Sequence, residues 1–349
     1  MYLKDLVDIQ MGQSPDSKFY NYDKIGLPFY QGKADFGRIN PTPKIWCSKS
    51  KKEAKPNDIL ISVRAPVGDL NINNEQSCIG RGLAAITCKS DVDMMYLYYH
   101  LKYLKPQLSH ISTGSTFESI NRSQLENLII DYKPYSEQIK ISNILQVVQR
   151  QIEVREKLLR LYDLLIKSRF VEIFKNNKAH IAIGELFQVI DGDRGKNYPK
   201  ATDFFDEGYC LFLNAKNVTK NGFCFDTVQF ITQQKDEQLN KGRVLPEDII
   251  LTTRGTVGNV AYCDIESSHK HMRINSGMVI LRSKDIIYDV DFITYVLSNQ
   301  INYGKEISGS AQPQLPISKL KDIMIPFPEI FLQKDFGYLI KQINKLKFG

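Results

Sequence analysis

The sequence predicts an α+β protein that contains two tandem copies of one domain, each followed by a helix of coiled-coil type. The segment PNDILISVRAPVGDL, which begins at Pro56, returns in recognisable form as PEDIILTTRGTVGNV from Pro246. Between the copies, residues 136–175 contain neither Pro nor Gly, and their apolar residues recur at spacings of four and three. An internal repeat marks a duplicated structural unit, and heptad spacing marks a helix that packs against another helix.

The repeat continues beyond this opening segment, and its register then shifts by five residues. Chance similarity would not hold a register over several blocks, so a tandem duplication is favoured over two copies of a common strand-turn-strand motif. Arg64 and Arg254 occupy matching positions within the opening segment. The later matched residues are Gly82 and Gly277, Gly114 and Gly309, Ser115 and Ser310, Ser123 and Ser318, and Gln138 and Gln333.

Each copy mixes short β-rich runs with one helix-like stretch, which is typical of an α+β domain. Gly68 and Gly258 predict a turn after the first strand of each copy. The predicted strands are 59–63, 83–87, 249–253 and 278–281, and the predicted helices are 93–105 and 289–302.

Residues 136–175 form a predicted helix about 60 Å long, since an α-helix rises ~1.5 Å per residue. A shorter predicted helix follows Pro328 and is about half as long. We predict that the two helices pack antiparallel as spacers; the alternative is a surface helix packed on its own domain. The long seam contains Ile141, Leu145, Val148, Ile152, Arg155, Leu159, Tyr162, Ile166, Arg169 and Ile173, and the short seam contains Leu332, Phe336, Leu339, Ile343 and Leu346.

Antiparallel packing leaves the N-terminal half of the long helix without an internal partner. We therefore predict that a partner, either another protein or a second copy of the chain, covers this half. The predicted partner-binding residues are Ile141, Leu145, Val148 and Ile152. The predicted boundaries are 1–135 for the first domain, 136–176 for the long helix, 177–328 for the second domain and 329–349 for the short helix.

Composition limits the class of protein. The 349 residues are 42% hydrophobic, which suffices for two cores. No apolar run approaches the roughly 20 residues of a membrane span, and the N-terminus lacks a signal-peptide core, so we expect a soluble, cytoplasmic protein. Six scattered cysteines argue against a disulfide framework and a zinc site. The formal net charge of +7 favours a polyanionic partner without establishing one.

Basic and polar side chains are concentrated in predicted loops. Arg and Lys hold phosphates, while Arg and Asn also present the paired groups that read base edges. The alternative for each residue is an ordinary solvated loop. The predicted DNA-binding residues are Lys33, Arg38, Arg64, Arg81, Arg194, Lys196, Lys216, Asn217, Arg254 and Arg273.

We find no pattern that predicts catalysis, a cofactor or a metal site. The chain has no GxxxxGK[ST] loop and no Asn-Pro-Pro-Tyr or Asp-Pro-Pro-Tyr run. Asp191, Asp193 and Lys196 superficially match a nuclease triad, but they crowd one Gly-rich loop, which favours a turn. His269 and His271 lack a third ligand. These observations predict a protein that recognises its target without catalysis.

The sequence resembles the specificity (S) subunits of type I restriction-modification systems over essentially the whole chain. The resemblance is carried by the repeated opening segment, by the closing segments STGSTFESINRSQLENLII and SGSAQPQLPISKLKDIMI, and by the helix EQIKISNILQVVQRQIEVREKLLRLYDLLIKSRFVEIF. It implies two tandem target-recognition domains separated by long antiparallel coiled-coil spacer helices.

The resemblance also implies partners. Such subunits direct two adenine-modifying methyltransferase (M) subunits and nuclease-translocase restriction (R) subunits to a split target in double-stranded DNA, with one recognition domain per half-site. The short second helix leaves open whether the chain is a shortened form or self-associates. The alternative function is a DNA-acting enzyme, a modification or nuclease protein, with an unrecognised active site.

Overall fold

The computed structural model describes residues 1–111, 119–265, 269–299, 303–307 and 313–348. The chain divides into two compact units, a first unit of Met1–Glu156 and a second unit of Lys157–Gly349. Some predictions lie outside the described residues: the repeat matches at Gly114, Ser115, Gly309 and Ser310, and the end of the predicted helix 289–302. Within the described ranges, no helix is both long and apolar enough to cross a bilayer.

The first unit contains two β-sheets and several helices. Its strands are β1 (Val7–Met11), β2 (Tyr20–Asn21), β3 (Leu27–Tyr30), β4 (Trp46–Cys47), β5 (Glu53–Ala54), β6 (Ile59–Ser62), β7 (Leu70–Ile72), β8 (Ser77–Ile79) and β9 (Leu83–Cys88). Its helices are α1 (Leu3–Leu6), α2 (Met94–Tyr103), α3 (Lys105–Ile111), α4 (Arg122–Glu126) and the first part of α5 (Tyr135–Phe174). Two 3-10 turns occupy Ser17–Phe19 and Lys33–Asp35.

The second unit contains the end of α5 and the rest of the chain. Its strands are β10 (His180–Ala182), β11 (Phe187–Asp191), β12 (Cys210–Leu213), β13 (Val218–Thr219), β14 (Gly222–Phe223), β15 (Phe230–Ile231), β16 (Arg243–Val244), β17 (Ile249–Thr252), β18 (Val260–Tyr262), β19 (Met272–Ile274), β20 (Met278–Ser283) and β21 (Met324–Pro326). Its helices are α6 (Ile183–Leu186), α7 (Gln233–Gln238), α8 (Val290–Ser298), α9 (Tyr303–Glu306), α10 (Ile317–Asp322) and α11 (Ile330–Phe348), with a 3-10 turn at Ala201–Asp203.

The sheets of the two units repeat one topology. The first unit has an antiparallel sheet of order β1-β9-β6-β7, and the second has its counterpart β11-β20-β17-β18. A second sheet has the order β2-β4-β3-β8-β5 in the first unit and β15-β12-β19-β16 in the second. Both second sheets contain one parallel pair, β3 with β8 and β12 with β19. The predicted α+β class and tandem duplication are therefore confirmed.

The first three residues of the repeated strands β6 and β17 are apolar because both faces of each strand are buried. Side chains alternate between the two faces of a strand. Ile59 and Ile61 pack into the core that includes the helices α2 and α3, whereas Leu60 packs into a separate core with the second sheet. Strand β17 divides its side chains in the same way, with Ile250 facing the second core.

The rest of the repeated segment fixes the two ends of these strands. Asp58 and Asp248 each accept a hydrogen bond at 2.7 Å from the backbone N–H three residues earlier, which closes the turn before the strand. Gly68 and Gly258 have φ angles of +84° and +96°, a conformation that residues with a Cβ atom rarely adopt. The repeated Asp and Gly therefore serve the backbone.

The long helix α5 begins one residue before the predicted start at 136 and ends one residue before the predicted helix end at 175, which is two residues before the predicted boundary at 176. Within the second unit, the ring of Phe170 lies 5.5 Å from that of Phe336, and Lys347 pairs with Asp163. Phe170, near the end of α5, thus contacts the first half of α11, whereas Asp163, earlier in α5, contacts the end of α11. The two helices therefore run antiparallel, as predicted.

Candidate nucleic-acid interface

Loops of the first unit meet where β1, β3 and β8 end. A Cβ atom on Gly12 would lie 2.2 Å from the carbonyl oxygen of Gly80, and one on Gly82 would lie 2.3 Å from that of Gln31. The segment after β6 joins them, since the Val63 N–H donates to the carbonyl oxygen of Gly82 at 2.9 Å. Glycine thus allows the loops to pass in direct contact.

Replacing Gly82 by Ala should lower the free energy of unfolding by about 1 to 3 kcal/mol, because the new methyl group overlaps a neighbouring backbone and both loops must shift. Gly32→Ala is a matched control in the same group of loops. No atom lies within 4 Å of a Cβ on Gly32, and its φ of −178° suits any residue. Urea denaturation measures both variants, and equal stabilities would contradict the proposed overlap.

The equivalent loops of the second unit meet in the same way. A Cβ atom on Gly192, after β11, would lie 2.2 Å from the carbonyl oxygen of Asn275 in the turn between β19 and β20. The Arg194 guanidinium donates to the carbonyl oxygen of Ser276 in that turn at 3.3 Å. The Thr253 N–H, after β17, donates to the carbonyl oxygen of Gly277 at 2.8 Å.

Most of the predicted loop cations are exposed on these loops. In the first unit Arg64 follows β6, and Arg81 lies in the turn between β8 and β9, where its N–H donates to the Ser14 hydroxyl at 3.3 Å. Lys33 and Lys216 occupy equivalent places, three residues after β3 and β12. The other exposed cations of this group are Arg38, Arg194 and Lys196.

The backbones of Arg64 and Arg254 occupy equivalent places in the two units. Each forms an isolated antiparallel bridge to the segment that closes its unit, Arg64 with Ser119 and Arg254 with Gln314. Arg254 is half-buried, and its guanidinium donates to the Gln314 side-chain oxygen at 3.2 Å. Arg64 is exposed.

Lys33 lies in an ion cluster centred on Asp69. The Lys33 ammonium is 2.8 Å from one carboxylate oxygen of Asp69, and the Lys105 ammonium is 2.6 Å from the other. Burial alone would raise the pKa of Asp69, but hydrogen bonds and charge from Lys105 and Lys33 hold that pKa below its usual value. Asp69 is therefore ionised near neutral pH and shared by two cations.

Arg38 connects its loop to the helix α5. Its guanidinium lies 3.3 Å from a carboxylate oxygen of Glu153 and 3.2 Å from one of Glu156. The guanidinium is half exposed, so these pairs are weak and can exchange for another anion.

The structure contradicts the prediction that Arg273 contacts DNA. The Arg273 side chain is only 2% exposed and lies on β19 instead of a loop. Its guanidinium donates to an Asp236 carboxylate oxygen at 2.6 Å and to the backbone carbonyl oxygens of Lys241 and Asp236 at 2.5 and 2.8 Å. All three nitrogens are used within the fold.

Asn217 is also buried, so the prediction of a DNA contact is wrong for this residue too. Its amide nitrogen donates to the carbonyl oxygens of Cys224 and Thr227 at 3.1 and 2.8 Å. Its amide oxygen accepts from the Asn214 N–H at 3.0 Å. Asn217 shapes the loop that presents Lys216.

The loop that superficially matched a nuclease triad is a turn, as favoured from its sequence. The Asp193 carboxylate accepts from the backbone N–H groups of Gly195, Asn240 and Lys241. Burial would raise the pKa of Asp193, but these hydrogen bonds hold it lower than usual. In the part of the chain that the structure describes, no group of three or more His, Cys, Asp or Glu residues is placed to hold a metal ion.

The predicted partner-binding residues lie on the first-unit part of α5. Leu145, Val148 and Ile152 are 37%, 49% and 49% exposed, and Ile141 is half-buried. Exposed aliphatic side chains of α5 also lie outside the predicted seam. These are Ile144, Val147, Val154, Leu161, Leu164, Leu165 and Val171.

Comparison with known proteins identifies the family of this chain. Residues 1–160 and 176–347 match the type I restriction modification DNA specificity domain family. The chain belongs to this family, and it carries two copies of the domain.

The chain is similar to several proteins named as specificity subunits. A putative type I restriction enzyme MjaX specificity subunit from Methanocaldococcus jannaschii is 45% identical over 150 residues, which cover 43% of this chain and 35% of that protein. The MjaIX specificity subunit of the same organism is 25% identical over 95% of this chain and 83% of that protein. The type I restriction-modification S subunit from M. genitalium has the same fold, with a TM-score of 0.63 over 99% of this chain and 89% of that chain at 18% identity.

Proposed function

We propose that the protein is a non-catalytic, sequence-specific DNA-binding specificity subunit of a type I restriction-modification system, which reads a split target with one unit per half-site. The observation that carries this proposal is a scaffold that occurs twice with different side chains. Arg81 occupies the β8–β9 turn of the first unit, where the second unit has Ser276, while Arg194 occupies the loop where the first unit has Ser14. Each unit therefore carries its arginine on a different one of the two equivalent loops, which suits the reading of two different base sequences.

We further propose that the chain directs two M subunits and the R subunits of such a system, in the cytoplasm and without a cofactor of its own. The exposed aliphatic side chains of α5 support a protein partner, because a partner can bury apolar side chains that the chain alone leaves in water. An M subunit is favoured over a second copy of this chain as the partner that covers residues 141–152.

Methylome sequencing tests the proposed function directly. Cells that carry this chain with its methyltransferase partner should acquire methylated adenine in one bipartite motif with an unspecified spacer. Absence of a new motif in cells that contain the assembled complex would contradict the proposal.

Arg81→Ala and Arg194→Ala should each relax a different half-site. A base-reading arginine contributes about 1 to 3 kcal/mol at one base position, and the two arginines lie on different units. Competition binding against duplexes with single base changes measures the loss at each position. Equal effects of either variant on both half-sites would show that the units are not separate readers.

The remaining alternative is a DNA-acting enzyme with an unrecognised active site. Purified chain should neither methylate nor cleave DNA when incubated with S-adenosylmethionine, Mg²⁺ and ATP without added subunits. Either reaction would overturn the non-catalytic assignment. A scaffold that never contacts DNA would instead show no salt-dependent affinity.

A further inference from the structure

We infer that a basic cavity in the first unit binds a backbone phosphate of the DNA and that Lys102 is its principal phosphate ligand. The inference rests on the proposed function and adds an anchoring contact that reads no base. The cavity has a volume of about 280 Å³, and its charged lining consists of Lys33, Arg38, Asp69, Lys102 and Lys105. This volume is near the lower end for ligand cavities, roughly 300 Å³, which suits a single group instead of a large ligand.

The lining carries an excess of positive charge. Four cations face one carboxylate, and the Asp69 carboxylate is shared between Lys33 and Lys105. The carboxylates that pair with Arg38 belong to Glu153 and Glu156 and do not line the cavity. A phosphodiester carries one negative charge, so it offsets part of this excess.

Lys102 is the cation best placed to accept a new anion. It is exposed on α2, and within the described ranges no carboxylate lies within ion-pair distance of its ammonium group. Its neighbours in the cavity wall include the apolar side chains Phe36, Leu70 and Tyr98, which limit the access of water to one side of the site. A charge interaction is stronger where part of the surrounding water is excluded.

Two placements favour a DNA phosphate over a free phosphate ion. Lys33 and Arg38 belong to the loop after β3, so the cavity adjoins a loop of the proposed DNA interface. Lys102 and Lys105 belong to α2 and α3, outside the loops that carry the proposed base-reading arginines, which suits a contact that positions the duplex without reading a base.

The second unit does not repeat the site. Asn259 occupies the place of Asp69 in the second unit. The Asn259 N–H donates to the Thr252 hydroxyl at the end of β17 at 3.0 Å, and the Asp69 N–H donates to the Ser62 hydroxyl at the end of β6 at 2.9 Å. Ser298 replaces Lys102 when α2 and α8 are matched at their N-caps, Asp93 and Asp289. The chain thus supplies natural substitutions for this scaffold, Lys102→Ser and Asp69→Asn.

The test measures the affinity of the full chain for its target duplex over a range of salt concentrations. Loss of one phosphate contact lowers the slope of log K against log salt by about 0.9, and affinity by about eightfold at ~0.1 M salt. We expect both effects in Lys102→Ser, with the same factor on every base variant of the target. Lys4→Ala removes an exposed lysine that does not line the cavity and should leave the slope near the wild-type value.

Asp69→Asn tests whether a more positive cavity binds DNA more tightly. Removal of the carboxylate makes the cavity more positive, so affinity should rise and the salt slope should steepen. Weaker binding by both Asp69→Asn and Lys102→Ser would show that the variants act through folding and would overturn the inference. An unchanged slope in Lys102→Ser, with a wild-type chain that binds its target, would also overturn it.

Two further results distinguish failure of the phosphate contact from failure of the proposed function. If the wild-type chain shows no salt-dependent DNA binding, the proposed function itself fails. If inorganic phosphate binds the wild-type chain but not Lys102→Ser, while both bind DNA equally, the cavity takes a free phosphate ion and the DNA assignment is wrong.

Discussion

Replacing Asp236 by Ala should destabilise the second unit by about 3 to 5 kcal/mol, the typical cost of leaving a buried charge without its partner. The Asp236 and Arg273 side chains are 3% and 2% exposed, and the shortest distance between their charged groups is 2.6 Å. Arg243, which pairs with the other carboxylate oxygen at 2.5 Å, is more than half exposed and can return to water. The buried Arg273 guanidinium cannot return to water, so most of the lost stability comes from leaving this charge unpaired.

Chemical denaturation, followed by the free energy of unfolding, measures this effect. Glu172→Ala is the matched control, because it removes one carboxylate from an exposed pair with Arg169 in the same unit. That pair should contribute less than about 1 kcal/mol. Equal stability of Asp236→Ala and Glu172→Ala would contradict the buried pair.

The pH dependence of stability provides a second measurement on the same pair. Burial would raise the pKa of Asp236, but the hydrogen bond and charge of Arg273, with the charge of Arg243, hold that pKa below its usual value. The carboxylate therefore stabilises the fold at pH values above its unfolded pKa of about 3.9. This contribution is lost as the pH falls through the lower folded pKa, so the wild-type advantage over Asp236→Ala should shrink in acid.

Replacing Leu145 and Ile152 together by Glu should abolish assembly with the partner while the chain remains folded. Because 37% of Leu145 and 49% of Ile152 are exposed, burial of these exposed parts by a partner contributes roughly 0.5 to 1.5 kcal/mol for each side chain, and a buried carboxylate adds a desolvation cost. Both side chains are at least one-third exposed in the chain alone, so the fold does not depend on them. Light scattering of the chain mixed with its M subunit measures the complex.

The matched control is Asn143→Glu with Gln151→Glu. Both residues are exposed polar positions on the same stretch of α5, so the control adds the same charge without removing an apolar side chain. We expect this control to assemble normally. An intact complex in the Leu145 and Ile152 double variant, with wild-type stability, would show that the face is not needed. Loss of self-association alone would identify a second copy of the chain as the partner.

Local patterns were sufficient to predict the framework of this protein. The duplicated segment predicted the repeated strands β6 and β17. In each copy the Asp closes the turn before the strand and the Gly adopts a positive φ after it, so both ends of the strand are marked in the sequence. The absence of Pro and Gly, with heptad spacing, placed α5 within one residue of its observed limits. Both signals depend on neighbours along the chain, so they can be recognised before any tertiary contact is known.

The tertiary structure alone decided which polar side chains are available to a ligand. The segment from His269 to Asn275 is rich in basic and polar residues like an exposed loop, and the charged segment around Asp236 is typical of a surface helix. They pair in the interior because β19 and α7, far apart in sequence, pack together. Asp69, Lys102 and Lys33 likewise converge from three separate segments. Burial and ion pairing depend on distances in space, and those distances are set only when the segments pack, so a one-dimensional pattern does not contain them.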